Sequence, residues 1–561
     1  MLSNIPDRPM THPPERTFQA LLTNSVNRYG DRVALSTVDG ISLTYSQFAE
    51  KIKRVSGLLH ALGVGPGDRV AILSENKVNW GVAYFAIATS GAIAVPILPD
   101  FPEKDIANII RHSECRILFV SEKLLQKTTG AAFPTVSASI LLDTLALIDR
   151  PDLVPSSDLS SNAERVAFPH PVKEEDIVSI FYTSGTMGFS KGVILTHANI
   201  VSDAIATTAI VSIGSEDRML SILPLAHTYE NTLGLVTALM VGASVYYLDR
   251  PPTAPVLLPA MAKVRPTIML SVPLIIEKIY KAKIQPRFSG SPLFRLLTKY
   301  PVTRKPLSRL AGKKLLDTFG GSLRVFAIGG APIAADVELF LREAGFPYAM
   351  GYGLTETAPL IAGTSPEETR YRSTGKPLPG TEIRILDADP ATGEGEIIVK
   401  GPTVMKGYFR DPERTAEVMT PDGWLRTGDL GTIDADGYVF IKGRLKNMIL
   451  GPSGKNIYPE EIESAINESD LVLESLVFSH QEKLIARAHL NYEEIKKKFG
   501  LSNDHETTQR VHTFLEELRR QVNQRLASFS RLHRIVEQPE PFEKTPTLKI
   551  KRHLYGSHPE K

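Results

Sequence analysis

Cysteine is nearly missing from this chain: Cys115 stands alone among 561 residues. A single thiol excludes an intramolecular disulfide and any multi-cysteine metal site. It fits a reducing compartment, so a cytoplasmic location is expected. An excess of one charge is missing too. Lys and Arg number 64 and Asp and Glu 62, a formal net charge of +2, which excludes protein-wide polyanion binding. No nucleic-acid motif is present. The polar, proline-rich start, Met1 to Phe18, holds no apolar stretch, so no secretory signal is expected. Nor is there an uninterrupted membrane span. The two longest uncharged runs, 78–99 and 231–248, break at Thr89-Ser90-Gly91 and at Gly242-Ala243-Ser244. Each reads as a short apolar helix, a turn and a strand of a buried α/β core. Fixed-period repeats and low-complexity tracts are absent.

What is present has ordinary globular proportions, with 42% hydrophobic and 22% charged residues. Short apolar runs alternate with helical patterns over the first 440 residues. Examples are Arg69 to Leu73, Ala92 to Ile97, Arg116 to Val120, Ala243 to Leu248 and Leu323 to Ile328. Such alternation predicts α/β sheets with covered faces. From Thr374 to Phe440, Gly and Pro punctuate short alternating strands such as Glu382 to Leu386 and Gly395 to Val399. That pattern predicts a small antiparallel β unit. After Gly443 the character changes again. Glu506 to Ala527 sets Val511, Phe514, Leu515, Leu518, Val522 and Leu526 on one helical face. The expected fold is therefore α/β: a large N-terminal domain of stacked sheets with a small β unit, 1–443, and a smaller C-terminal α+β domain, 444–561.

The most informative segment is Phe181-Tyr-Thr-Ser-Gly-Thr-Met-Gly-Phe-Ser-Lys-Gly-Val193, which follows the apolar run Ile177 to Ile180. Glycines let a backbone approach phosphate oxygens, hydroxyls donate or bind Mg²⁺, and a lysine neutralises charge. A Walker A motif is excluded, because Lys191 precedes Gly192 and no Gly-Lys pair is followed by a hydroxyl residue. Further constellations point the same way. Tyr352-Gly-Leu-Thr-Glu-Thr357 sets an aromatic that can stack on a base beside a carboxylate that can hold Mg²⁺. Trp424-Leu-Arg-Thr-Gly-Asp-Leu430 ends in an acid of the kind that pairs with ribose hydroxyls. Gly443-Arg-Leu-Lys446 marks the domain boundary, and Pro546-Thr-Leu-Lys-Ile-Lys-Arg552 brings a lysine into a basic tail. Taken singly, each fits a structural role as well: a packed Tyr, a capping Asp, a solvated Lys.

Taken in order, these motifs resemble those of the AMP-forming acyl-CoA synthetases, the adenylate-forming enzymes, from about Phe18 to Tyr555. The resemblance implies a two-step reaction. A carboxylate attacks the α-phosphate of ATP to give acyl-AMP and pyrophosphate, and a thiol, usually that of CoA, displaces AMP. It also implies a mobile C-terminal domain that rotates between the steps. Site residues follow by the same resemblance. Thr183, Ser184, Gly185, Thr186, Gly188 and Lys191 match the loop around the β- and γ-phosphates. Thr186 and Glu356 match the Mg²⁺-associated pair. Gly330, Ala331 and Pro332 match the adenine-side turn, and Tyr352, with Gly353 and Thr355, the aromatic segment beside adenine. Asp429 matches the ribose acid, Arg444 the arginine near it and Lys446 the hinge. Lys549 matches the lysine that reaches the α-phosphate and the incoming carboxylate. Gly454 matches the glycine near the pantetheine channel.

Three segments depart from the common pattern. Met187 and Ser190 replace a Thr and a Pro in the loop, Thr547-Leu-Lys549 replaces Ser-Gly-Lys, and Asn447 stands where an acid is frequent. The acyl-site motif Ser221-Ile-Leu-Pro-Leu-Ala-His-Thr-Tyr-Glu230 has no acid before Glu230 to meet a substrate amine, which argues against an α-amino acid. His227 and Tyr229 are the substrate-side candidates. These segments most resemble those of long-chain fatty acyl-CoA synthetases, so a fatty acid and CoA are the expected partners. A carrier protein as acceptor, a fatty acyl-AMP ligase and a non-catalytic acyl or nucleotide sensor are the alternatives; a homodimer stays open.

One segment stands outside the motifs. Lys281 to Leu316 holds ten basic residues and no acid, with interleaved Phe288, Leu293, Phe294, Leu296, Leu297 and Tyr300. A peripheral contact with an anionic membrane, on the inner face, fits it; so do attraction of CoA phosphates and a plain solvated face. His112 and Cys115 have two-residue spacing, but nothing nearby completes a metal site.

Overall fold

The fold is that of a computed structural model. It describes residues 13, 15–129, 133–148, 168, 170–183, 190–286, 297, 300–451, 455–500, 504–545 and 549–556.

Among these residues two large sheets form the bulk of the molecule. One has eight strands. Its parallel centre is Ile93–Ile97, Arg69–Leu73, Ile117–Val120 and Ala138–Leu141, flanked by Ile177–Thr183 and the antiparallel Lys191–Thr196. The other has nine strands and is parallel through Ser244–Tyr247, Arg218–Ser221, Ile268–Ser271, Val325–Ile328 and Tyr348–Gly353. Strands buried on both faces lose the polar alternation of a half-exposed sheet, and Arg69–Leu73 is apolar in every position after its first.

The run from Val78 forms the expected helix, turn and strand: helix Val78–Thr89, the turn at Ser90-Gly91 and strand Ile93–Ile97. Trp80, Tyr84 and Phe85 on that helix are fully buried and join both sheets in one core. The second run differs from a plain α-helix. Tyr229–Val236 is a π-helix that passes into α-helix at Thr237–Val241 before strand Ser244–Tyr247. The wide turn houses the buried Glu230 carboxyl: a Cβ at position 234 would lie 2.7 Å from Glu230 Oε1, so Gly234 makes the room. No helix among the described residues is long and apolar enough to cross a membrane.

The antiparallel unit consists of Glu382–Leu386, Gly395–Lys400, Leu425–Ile433 and Val439–Arg444. Beyond it a three-stranded sheet, Val472–His480, Lys483–Leu490 and Arg534–Glu537, packs with helices Pro459–Asn467 and Asp504–Arg525 around a separate core. Val511, Phe514, Leu515, Leu518 and Val522 all face that core.

In the basic segment the described helices are the π-helix Tyr280–Ile284 and the α-helix Pro301–Thr318. Arg304 is tied to Glu343, and Lys281 donates to the Asn467 carbonyl at 2.9 Å. These two cations therefore face protein rather than solvent. Phe288, Leu293, Phe294 and Leu296 lie outside the described residues.

Candidate active site

The site forms where the parallel strands of the nine-stranded sheet end. In open α/β sheets, ligands sit beyond the carboxyl ends of strands. Strand Arg218–Ser221 leads into His227, Val325–Ile328 into the Gly330-Ala331-Pro332 turn, and Tyr348–Gly353 into Glu356. Strands Val325–Ile328 and Tyr348–Gly353 are parallel neighbours, with Ile328 beside Met350, so their two loops share one edge. Gly330 has φ of +85°, a conformation open to glycine, and Ala331 and Pro332 after it are exposed. Gly353 is required by contact: a Cβ there would fall 1.8 Å from the Pro359 carbonyl oxygen.

One end of the site gathers around Asp429. Asp429 and Arg444 are cross-strand partners, and Arg444 Nε lies 2.7 Å from Asp429 Oδ1. The Tyr352 hydroxyl donates to Asp429 Oδ2 at 2.7 Å. Burial pushes the Asp429 carboxyl up, while Arg444, Tyr352 and the Lys549 charge pull it back. An acid held between a guanidinium and a phenol, at the rim of an aromatic face, suits a ribose diol next to an adenine ring.

Lys549 comes to the same place from the C-terminal part. Thr545 N donates to Lys549 O at 2.8 Å, and Lys549 N donates to Thr545 Oγ1 at 3.2 Å. The side chain keeps much of its surface accessible, yet it lies in a cleft dense with protein atoms. That desolvation lowers its pKa, with Arg444 adding to the effect and Asp429 and Glu356 opposing it. His227 faces the same cation. Burial and then the Lys549 charge push its pKa down to about 4, so the imidazole is neutral at physiological pH. Its Nδ1 accepts from Tyr229 N at 3.2 Å.

The third part is the strand pair around the expected phosphate loop. Thr183 and Lys191 are paired across the ladder, so the two ends of that loop are fixed. Ser184, Gly185, Thr186 and Gly188, and likewise Gly454, lie outside the described residues. Glu356 sits in the short helix Thr355–Thr357 and accepts from the Tyr408 hydroxyl at 2.8 Å. The Lys191 ammonium lies 4.6 Å from the centre of the Tyr408 ring. Sequence reasoning passed over Tyr408; its signal was the Met405-Lys-Gly-Tyr408 turn, which only the pairing with strand Lys191–Thr196 brings to the site. Lys446 is exposed in the turn after Arg444, and Asn447 beside it donates to Glu460 Oε1 at 2.6 Å.

Among the described residues no group of three or more His, Cys, Asp or Glu is arranged to hold a metal ion. Mg²⁺ does not need one, since it is commonly held by one or two carboxylates plus substrate phosphates. The lone Glu356 carboxylate fits that requirement.

Beside Tyr229 opens an apolar cleft of about 550 Å³ including its mouth. Ile210, Val211, Leu233, Ile268, Leu270 and Val325 line it, and among the described residues no charged one does. Tyr229 borders it while donating from its hydroxyl to the Ala327 carbonyl at 3.1 Å.

Comparison with known proteins agrees with this geometry. The family model described as "AMP-binding enzyme" matches residues 22–409. The chain is 30% identical over 485 residues to a protein named long-chain-fatty-acid–CoA ligase FadD15 of Mycobacterium bovis, covering 80% of this chain and 77% of the relative. It is 31% identical over 436 residues to a feruloyl-CoA synthase of an Amycolatopsis species, covering 76% and 78%. The crystal structure of ATP-bound MatB from Rhodopseudomonas palustris superposes with a TM-score of 0.74 at 25% identity, covering 96% of this chain and 98% of MatB.

Proposed function

Since the chain belongs to the AMP-binding enzyme family, we propose that it is an AMP-forming fatty acid–CoA ligase. A fatty carboxylate oxygen bonds to the α-phosphorus of ATP, the bond to the β-phosphate oxygen breaks, and pyrophosphate leaves. The CoA thiolate then bonds to the acyl carbon, and the bond to the AMP oxygen breaks. Acyl-CoA and AMP are the products, and the thiol proton goes to solvent.

The observation that carries the choice of acid is the aliphatic cleft beside Tyr229. A cleft with no charged lining offers nothing to an amine or to a second carboxylate, and burial of an alkyl chain contributes about 0.8 kcal/mol per methylene.

The first step must bring an anion against a polyanion, so positioning and fixed positive charge dominate. In this reading Lys549 meets the α-phosphate and the carboxylate, and Lys191 meets the outer phosphates. Neutral His227 borders the acid without adding a competing charge. Asp429 and Tyr352 hold the nucleoside. Mg²⁺, when bound, supplies further positive charge at the phosphates, with Glu356 and Thr186 to hold it. Residues 444–561 form the domain that carries Lys549 in and, after rotation at Lys446, presents Gly454 to the CoA arm.

The reading also includes a contact with an anionic membrane. On helix Pro301–Thr318 the solvent side carries Lys305, Arg309, Lys313 and Lys314 beside Val302, which is 85% exposed, and Leu310. Basic and apolar groups on one face suit an anionic bilayer. Sedimentation with anionic but not neutral vesicles at low salt supports this contact, and equal binding to both refutes it.

The test of the activity is mass spectrometry of products from the purified protein, ATP, Mg²⁺ and mixed C6–C20 fatty acids, with and without CoA. Acyl-CoA formed only when CoA is present is the expected result. Acyl-AMP accumulating despite CoA refutes CoA as acceptor, and no product from any fatty acid refutes the acid.

A further inference from the structure

Lys191 and Glu356 carry opposite charges, and each is held by Tyr408 rather than by the other. Opposite charges facing one cleft attract strongly when water is scarce. A lysine paired to the metal-side carboxylate is a poor receptor for phosphate, and the carboxylate a poor receptor for a cation.

Tyr408 is fixed from three sides. Phe409 N donates to the Gly192 carbonyl at 2.7 Å and Lys406 N to the Ile194 carbonyl at 3.0 Å, on the strand that begins with Lys191. Met405 N donates to the Glu356 carbonyl at 2.9 Å, which ties the same turn to the short helix. Tyr408 N itself donates to Thr415 Oγ1 at 2.9 Å. Gly407 has φ of +145°, and a Cβ there would meet Thr415 Cγ2 at 2.9 Å, so the turn closes tightly only with glycine. The ring is 6% exposed.

We propose that Tyr408 is a positioning residue for the phosphate-and-metal end of the site, its ring seating the Lys191 ammonium and its hydroxyl the Glu356 carboxylate, so that the two stay apart until Mg²⁺ and ATP bind. The assignment rests on the ATP-dependent reaction above. It gives the two halves of one side chain separate jobs. The ring acts on phosphate affinity through Lys191, and the hydroxyl acts on metal affinity through Glu356.

Calorimetric titration with ATP and Mg²⁺, with no acid present, separates these jobs in Tyr408→Phe and Tyr408→Leu. Phe keeps the ring. Its ATP affinity at saturating Mg²⁺ is expected within about twofold of the parent, with the half-saturating Mg²⁺ concentration raised about tenfold for a lost hydrogen bond to a charged group. Leu loses both, and ATP affinity is expected to fall a further three- to thirtyfold or so, the range of a cation–π contact. An unchanged Mg²⁺ midpoint in Tyr408→Phe overturns the hydroxyl's role. Equal ATP affinity in the two variants overturns the ring's role. Thioester formation from supplied acyl-AMP and CoA is expected to stay near the parent rate; an equal loss there makes Tyr408 merely structural. A parent that binds Mg²⁺ and ATP but activates no fatty acid refutes the proposed acid and leaves the Tyr408 assignment standing. A parent that binds no ATP refutes both.

Discussion

Arg444 Nε lies 2.7 Å from Asp429 Oδ1 because the two residues are direct partners in the ladder of strands Leu425–Ile433 and Val439–Arg444. The pair thus joins the proposed ribose acid to the last strand before the proposed boundary, and the Tyr352 hydroxyl adds a third member. Asp429→Asn keeps the size and an acceptor for Tyr352 but removes the charge. Hydrogen bonds to a charged group contribute about 1.5–3 kcal/mol. ATP binding is therefore expected to weaken by roughly ten- to a hundredfold, measured by calorimetry without acid or CoA. Wild-type affinity in the variant would remove Asp429 from the nucleoside site.

Lys549 reaches the site from the C-terminal part, and the domain rotation expected between steps takes it away. Lys549→Ala is expected to slow acyl-AMP formation by about 10²–10³, the scale of a lost oxyanion donor. Conversion of supplied acyl-AMP and CoA to thioester is expected to be nearly unaffected. Pyrophosphate release and thioester formation, measured separately, check this. Equal losses in both would end the division of labour.

Much of the scaffold could be read from the sequence. Arg69–Leu73 is a strand at both bounds, and the break at Ser90-Gly91 falls where the uncharged run turns from helix to strand. Both are local: an apolar run and a turn residue suffice. The unread parts are contacts between distant segments. Tyr408 is an ordinary aromatic until the pairing of Gly407 and Tyr408 with Ile194 and Val193 lays it between Lys191 and Glu356. Lys281 counts as one more exposed cation until Asn467, 186 positions away, is folded against it. The π-helix is hidden for another reason. Its widened turn follows from burying Glu230 opposite Gly234, and apolar periodicity records neither.

Glu230 offers a test of pH dependence. It is 2% exposed, and burial pushes its carboxyl up to about 8, despite the Ser221 hydroxyl, which pulls it down; Tyr247 lies within reach of its charge. The folded chain therefore holds a proton that an unfolded carboxyl releases near its ordinary value of 4.5. Stability from this group is full below that value and is lost as pH rises through about 8. Between the two the slope is about −1.4 kcal/mol per pH unit for one proton. Glu230→Gln, which cannot ionise, is expected to remove this fall. Urea denaturation of both proteins between pH 5.5 and 7.5 measures it, and parallel curves would mean that Glu230 is already ionised in the fold.

Tyr458 lies beyond the proposed boundary at Arg444 and Glu394 before it, and the Tyr458 hydroxyl donates to Glu394 Oε2 at 2.7 Å. Together with Lys281 on the Asn467 carbonyl, this bond holds the C-terminal part in the placement that brings Lys549 beside Asp429 and His227. Glu394 also has Lys442 3.6 Å away, so its charge stays compensated when the phenol is lost. Tyr458→Phe therefore removes a docking contact without stranding a buried charge. A ligand or contact shifts an equilibrium only by its difference between the two states, and in the proposed reading this bond is made only in the placement that brings Lys549 in. The variant is expected to make acyl-AMP about three- to tenfold more slowly, with thioester formation from supplied acyl-AMP equal to or faster than the parent's. Rapid-quench measurement of the two half-reactions separates them. A slowing of both, or of neither, would mean that this bond does not choose between the placements, and would leave Lys281 as the contact to vary next.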